Sequence, residues 1–131
     1  MRLTYYGHSA FRIEAGSSTI LVDPFLTGNR HFTGDVAEVA KGVTHIALTH
    51  GHSDHVGDTL EIARQTDARV IGNFELASWL AGKGVANVEP GNTGGTLRFD
   101  DFSVTFTQAF HSSGNVCLLY TSPSPRDLST S

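Results

Sequence analysis

The chain has 131 residues and a mass of 14.0 kDa, which limits it to one domain. A net charge of −4, with no basic stripe, argues against nucleic acid as a partner, and no apolar run approaches the 18 residues of a membrane span. A single cysteine excludes an internal disulfide, and the sequence enters strand-like material at Leu3 without a leader, so the expected compartment is the cytoplasm.

In chain order, Leu3 to Tyr6, Ala10 to Ala15 and Thr19 to Val22 read as an antiparallel start, turning at Gly16-Ser17-Ser18. Asp23-Pro24 ends it. A Gly-rich loop with Arg30 and His31 follows, then a short helix from Val36 to Lys41. Val43 to Thr49 is apolar with little alternation, as in a buried parallel strand. Asp58 with Glu61 reads as a helix cap opening Thr59 to Thr66. Ala68 to Ile71 follows as a strand, and Phe74 to Leu80 as a helix stopped by Gly82 and Gly84. Gly91 to Gly95 reads as a turn. Thr96 to Phe99 and Phe102 to Phe110 then form a hairpin around Asp100-Asp101. The class is α/β.

Chemistry concentrates in Thr49-His50-Gly51-His52-Ser53-Asp54-His55. With 7 His and 8 Asp in the chain, an H-x-H-x-D-H match is expected by chance on the order of 0.001 times. Period-two geometry puts His50 and His52 on one side, and Gly51 lets the backbone turn between them. Asp54 and His55 are adjacent, so their side chains diverge. The economical arrangement is two ions side by side, one begun by His50 and His52, the other by Asp54 and His55. A catalytic zinc takes three protein ligands, and His111, at the end of the last strand-like run, is the candidate third ligand of the first ion. His45 reads as structural, and His8 as a residue of the substrate pocket.

Tyr6-Gly7-His8-Ser9-Ala10-Phe11, Leu21 to Leu26, Thr49 to Gly57, Asn73 to Ala77 and Ala109 to Ser113 together resemble the metallo-β-lactamase superfamily. The likeness is to its branch of small metal-dependent hydrolases of unassigned substrate, over residues 1 to 116. It implies half of a four-layer αββα sandwich. It implies two divalent metal ions, zinc by preference with manganese admitted by the oxygen ligands. His50, His52 and His111 match ligands of the first metal, Asp54 and His55 ligands of the second. Asp54 could also act catalytically as a general base or proton carrier. Asp23 matches a carboxylate that supports the histidine loop without binding metal. The implied reaction is attack by a hydroxide held between two metals on a small ester, lactone, amide or phosphodiester. The alternatives are a phosphodiesterase or nuclease of the same superfamily, and a non-catalytic metal-binding module.

The superfamily's later bridging aspartate and last histidine do not appear after His111, so the resemblance implies an N-terminal half, with two ligands at the second metal and no competent activity alone. Residues 117–131 hold 8 Ser, Thr or Pro in 15 positions. They read as a disordered or artefactual tail foreign to the domain, similar to translated sequencing-adaptor sequence.

Overall fold

The computed structural model describes residues 1–113. Six strands form one mixed sheet: β1 (Arg2–Tyr5), β2 (Phe11–Ala15), β3 (Ser18–Val22), β4 (His45–Ala47), β5 (Arg69–Asn73) and β6 (Val88–Gly91), hydrogen-bonded in chain order. The first three are antiparallel, as Gly16 at φ 58 allows in the tight turn, and β3 to β6 are parallel.

Four helices connect the parallel strands: α1 (Val36–Ala40), α2 (Ser53–Val56), α3 (Thr59–Thr66) and α4 (Phe74–Gly82). Each crossover steps to the next strand in the same direction, so right-handed connections lay the helices on one face. The register shows which side chains meet them. Leu21, Ile46, Val70 and Val88 form a row across four strands. The first three are buried in the core with Val39, Ile62, Leu76 and Leu80 from the helices. Arg12 extends that row and donates to the carbonyls of Val39 and Lys41, closing the end of α1.

The opposite face carries Ile20, His45 and Arg69 in another row. A two-stranded hairpin, β7 (Thr96–Arg98) and β8 (Ser103–Thr105), approaches it. The His45 ring meets Phe99 and Phe102 edge-on, each at 4.8 Å between ring centres. Asp101 accepts from the hydroxyls of Ser17 and Ser18, both at 2.9 Å. A helix layer, a mixed sheet and the beginning of a second sheet thus form part of an α/β sandwich.

Two expectations change, and two features appear that the sequence did not announce. The run Phe102 to Phe110 is strand only over Ser103–Thr105, because β7 ends and its ladder closes on the turn at Gly94 and Gly95 through Phe106. β6 was hidden by Pro90, which is tolerated because β6 is an edge strand. Asp54 and His55 lie on a single helical turn, α2. Asp58 makes no capping bond to α3. Its Oδ2 instead accepts from the amides of Leu26 and Thr27, at 3.1 and 2.8 Å, tying the loop after β3 to the start of α3. Residues 117–131, read from sequence as a tail, lie outside the described residues.

Gly57 fixes the same junction. Its φ is 48, and a Cβ there would stand 2.4 Å from the Pro24 carbonyl oxygen and the Phe25 Cα. Both obstacles are backbone. Gly57→Ala should cost about 3 kcal/mol or more. Gly82→Ala, where a Cβ meets nothing within 4 Å, should be neutral or gain up to about 1 kcal/mol. Urea denaturation of the two variants checks both values.

Candidate metal centre

The candidate residues gather at the C-terminal ends of the parallel strands, where α/β sheets place their chemistry. Asp23 follows β3, Thr49 to His52 follow β4, and Asn73 ends β5. His52 is the extended residue preceding α2, and that single turn carries Asp54 and His55 back toward the His50 ring.

Asp23 organises this loop. It is 1 % exposed and sits at φ 44. Its Oδ1 accepts from the Thr49 amide at 2.8 Å. Its Oδ2 accepts from the Thr49 hydroxyl at 2.6 Å and pairs with His55 Nδ1 at 2.8 Å. A carboxylate can only accept, so His55 carries its proton on Nδ1 and leaves the Nε2 lone pair free. The Thr49 hydroxyl spends its one proton on Asp23. Its 2.9 Å contact with His50 Nδ1 is therefore an acceptance from Nδ1–H, which likewise leaves a lone pair on His50 Nε2. His111 Nδ1, 2.6 Å from the Ser112 carbonyl, follows the same pattern.

Two clusters result. Ligand atoms of His50, His52 and His111 all lie within 4.8 Å of one another, and so do those of His8, Asp54 and His55. The His50 ring centre is 4.7 Å from that of His52, 4.4 Å from that of His111 and 4.1 Å from that of His55, so the clusters abut. His111, on the segment after β8, thus reaches the loop after β4. His50 Nε2 is buried with no hydrogen-bond partner. Among buried polar atoms this is an anomaly, and a metal ligand resolves it. The donor set, imidazole nitrogens with one carboxylate, fits a borderline divalent cation such as zinc.

Sequence reasoning missed three supports. Thr49 belongs to the motif but gives no sign that it links Asp23 to His50. Asp58 reads as a cap. Asn29, buried in the Gly-rich loop, donates from Nδ2 to the carbonyls of Phe25 and Gly7, at 3.0 and 3.2 Å, and holds the turn bearing His8. His31 stands exposed on that loop, outside both clusters.

A cavity of about 210 Å³ opens beside His50 and His111, lined also by Asn73, Thr93, Phe106 and Thr107, with no Lys or Arg among the described residues. A larger one, about 420 Å³, lies at the other ends of the strands, beside His45, the Arg69–Glu89 ion pair and Asp101. It holds neither ligand cluster, so the smaller cavity is the one relevant to chemistry at the histidines.

The pattern of the metallo-beta-lactamase superfamily matches residues 3–122. A UPF0173 metal-dependent hydrolase of Agrobacterium fabrum is 62 % identical over 117 residues, covering 88 % of this chain and 50 % of that protein. Its counterpart in Brucella anthropi is 60 % identical over 114 residues, covering 86 % and 48 %. The solved structure of Igni18, a metallo hydrolase from Ignicoccus hospitalis, superposes with a TM-score of 0.78 at 36 % identity, over 85 % of this chain and 49 % of that one. The chain spans about half the length of the curated relatives it matches.

Burial, and then the charges of His55, His111 and His52, push the His50 pKa below the ordinary 6.5. His45 is lowered too, first by burial and then by Arg69. Below pH 6.5 the unfolded chain takes up protons that these folded imidazoles refuse, so metal-free stability should fall as pH drops from about 7 to about 5. Urea denaturation in chelator at several pH values tests this. His50→Gln should flatten part of the slope.

Proposed function

The chain belongs to the metallo-beta-lactamase superfamily, and from that premise we propose that it carries the principal ligand loop of a metal-dependent hydrolase acting on a small ester, lactone or amide. One observation carries the reading. Two groups of three potential ligands stand side by side, with the His50 and His55 rings, one from each group, 4.1 Å apart. His50, His52 and His111 would hold one divalent cation, and Asp54 and His55 would contribute to a second. Zinc is the favoured ion, with manganese the alternative. A bound pair of such ions supplies an acidified water and polarises the carbonyl under attack.

The chain's own residues do the rest. Asp23 and Thr49 keep the Nε2 lone pairs of His55 and His50 turned away from the supporting protein oxygens. Asp54, with a half-exposed side chain, is placed to carry a proton between the cluster and solvent. The cavity beside His50 and His111 has room for a small acyl or lactone group, and its lining, free of Lys and Arg among the described residues, favours such a group over a phosphodiester or nucleic acid. Among the described residues no helix is long and apolar enough to cross a membrane, and a small-molecule substrate in the cytoplasm fits the acidic composition.

The test joins this segment to the remaining half of the Agrobacterium relative and assays lactones, esters and phosphodiesters after loading with zinc or manganese. Hydrolysis of lactones or esters is expected, with a loss of about 1000-fold or more on His50→Ala or His52→Ala. Full activity in chelator, or activity indifferent to both substitutions, contradicts the reading.

A further inference from the structure

The geometry points to His8 as a third protein ligand of the second cation, beside Asp54 and His55. This rests on the reading above, in which Asp54 and His55 contribute to that ion. His8 Nε2 lies 3.4 Å from Asp54 Oδ2, and His55 Nε2 lies 3.7 Å from Asp54 Oδ1. Both separations exceed a good hydrogen bond. Both are close to the edge of a tetrahedron with zinc–nitrogen and zinc–oxygen bonds of about 2.1 Å, which is about 3.4 Å. The two contacts use different oxygens of one carboxylate, as expected when the donors surround a point between them.

The backbone supports the same conclusion. His8 holds φ 55, a left-handed conformation that a histidine seldom adopts, and strained residues of this kind persist only where their surroundings determine them. Here the surroundings do. The Tyr5 hydroxyl donates to the His8 carbonyl at 2.8 Å. Asn29 holds the Gly7 carbonyl, and Gly7, at φ 98, lies so close to His31 that a Cβ would come within 2.5 Å of the His31 Cβ. The His8 ring packs edge-on against Phe25 at 5.4 Å and His55 at 5.2 Å. Two hydrogen bonds, two ring contacts and a left-handed histidine backbone thus hold one partly exposed imidazole over Asp54. A solvated surface histidine needs none of them.

The experiment is a cobalt(II) titration of the 131-residue chain, followed by its visible absorption and by metal analysis after dialysis. The wild-type chain should bind two equivalents. His8→Asn keeps a residue that tolerates the left-handed backbone but is too short to reach the ion. It should bind the first equivalent unchanged, which also reports an intact fold, and weaken the second by at least about 100-fold, beyond the usual effect of an outer-sphere partner. Unchanged binding of the second equivalent by His8→Asn overturns the assignment of His8. Uptake of one equivalent by the wild type overturns the three-ligand second site and leaves the first intact. Uptake of none overturns the broader metal reading with it.

Discussion

The buried carboxylate of Asp23 is the constraint on which the rest of the site depends. Burying a carboxylate is costly unless its oxygens are fully used. Here one backbone amide, one hydroxyl and one imidazole use them. The same three bonds carry information outward. They fix where the Thr49 turn leaves β4, set the protonated nitrogen of His55 directly, and set that of His50 through the Thr49 hydroxyl. One carboxylate thereby prepares an imidazole in each ligand cluster. Neither histidine needs to choose its tautomer when a cation arrives, and the ordering entropy of the loop is spent in folding.

Around this centre the fold works by tying short, otherwise loose segments together at the ends of the parallel strands. Gly57 lets α2 and α3 lie against the Pro24–Phe25 backbone, and Asp58 seals that contact with two amides. Asn29 ties the loop after β3 to the β1–β2 turn. Each clamp joins loops that local propensity alone would leave mobile; Gly57 and Asp58 follow His55 by two and three residues, and the Gly7 carbonyl that Asn29 holds directly precedes His8. Hydrophobic burial elsewhere, in the Leu21–Ile46–Val70 row beneath the helices, supplies the rigid base from which these loops project. The candidate ligands are held before any cation arrives, and ligands held before binding lose little freedom on binding.

Much of this could be read from the chain. The α/β order was plain from the periodicity, because a parallel strand buried on both faces must be continuously apolar. The ligand loop was plain because three histidines and an aspartate in six residues have few other uses. What could not be read depends on partners distant in sequence. Asp58 looks like a helix cap, and only the placement of Leu26 and Thr27 shows that its oxygen is occupied elsewhere. Pro90 disguises an edge strand whose missing N–H faces no neighbour. The alternating run after Phe102 looks like a long strand, but a strand lasts only as long as its partner. His8 could be guessed as a pocket residue. Its approach to Asp54 follows from Asn29 and from two left-handed residues that no local pattern announces.

The most direct test of the central claim is zinc affinity in Asp23→Asn, measured by competition with a chromophoric chelator. Asparagine keeps the size and one acceptor oxygen but replaces the other with an N–H₂ group. That group would face the Thr49 hydroxyl and His55 Nδ1–H and would turn one or both imidazoles to the wrong tautomer. The expected result is a folded protein whose zinc affinity falls about 10–100-fold. An Asp23→Asn protein that binds zinc as tightly as the wild type would show that the carboxylate does not organise the ligands.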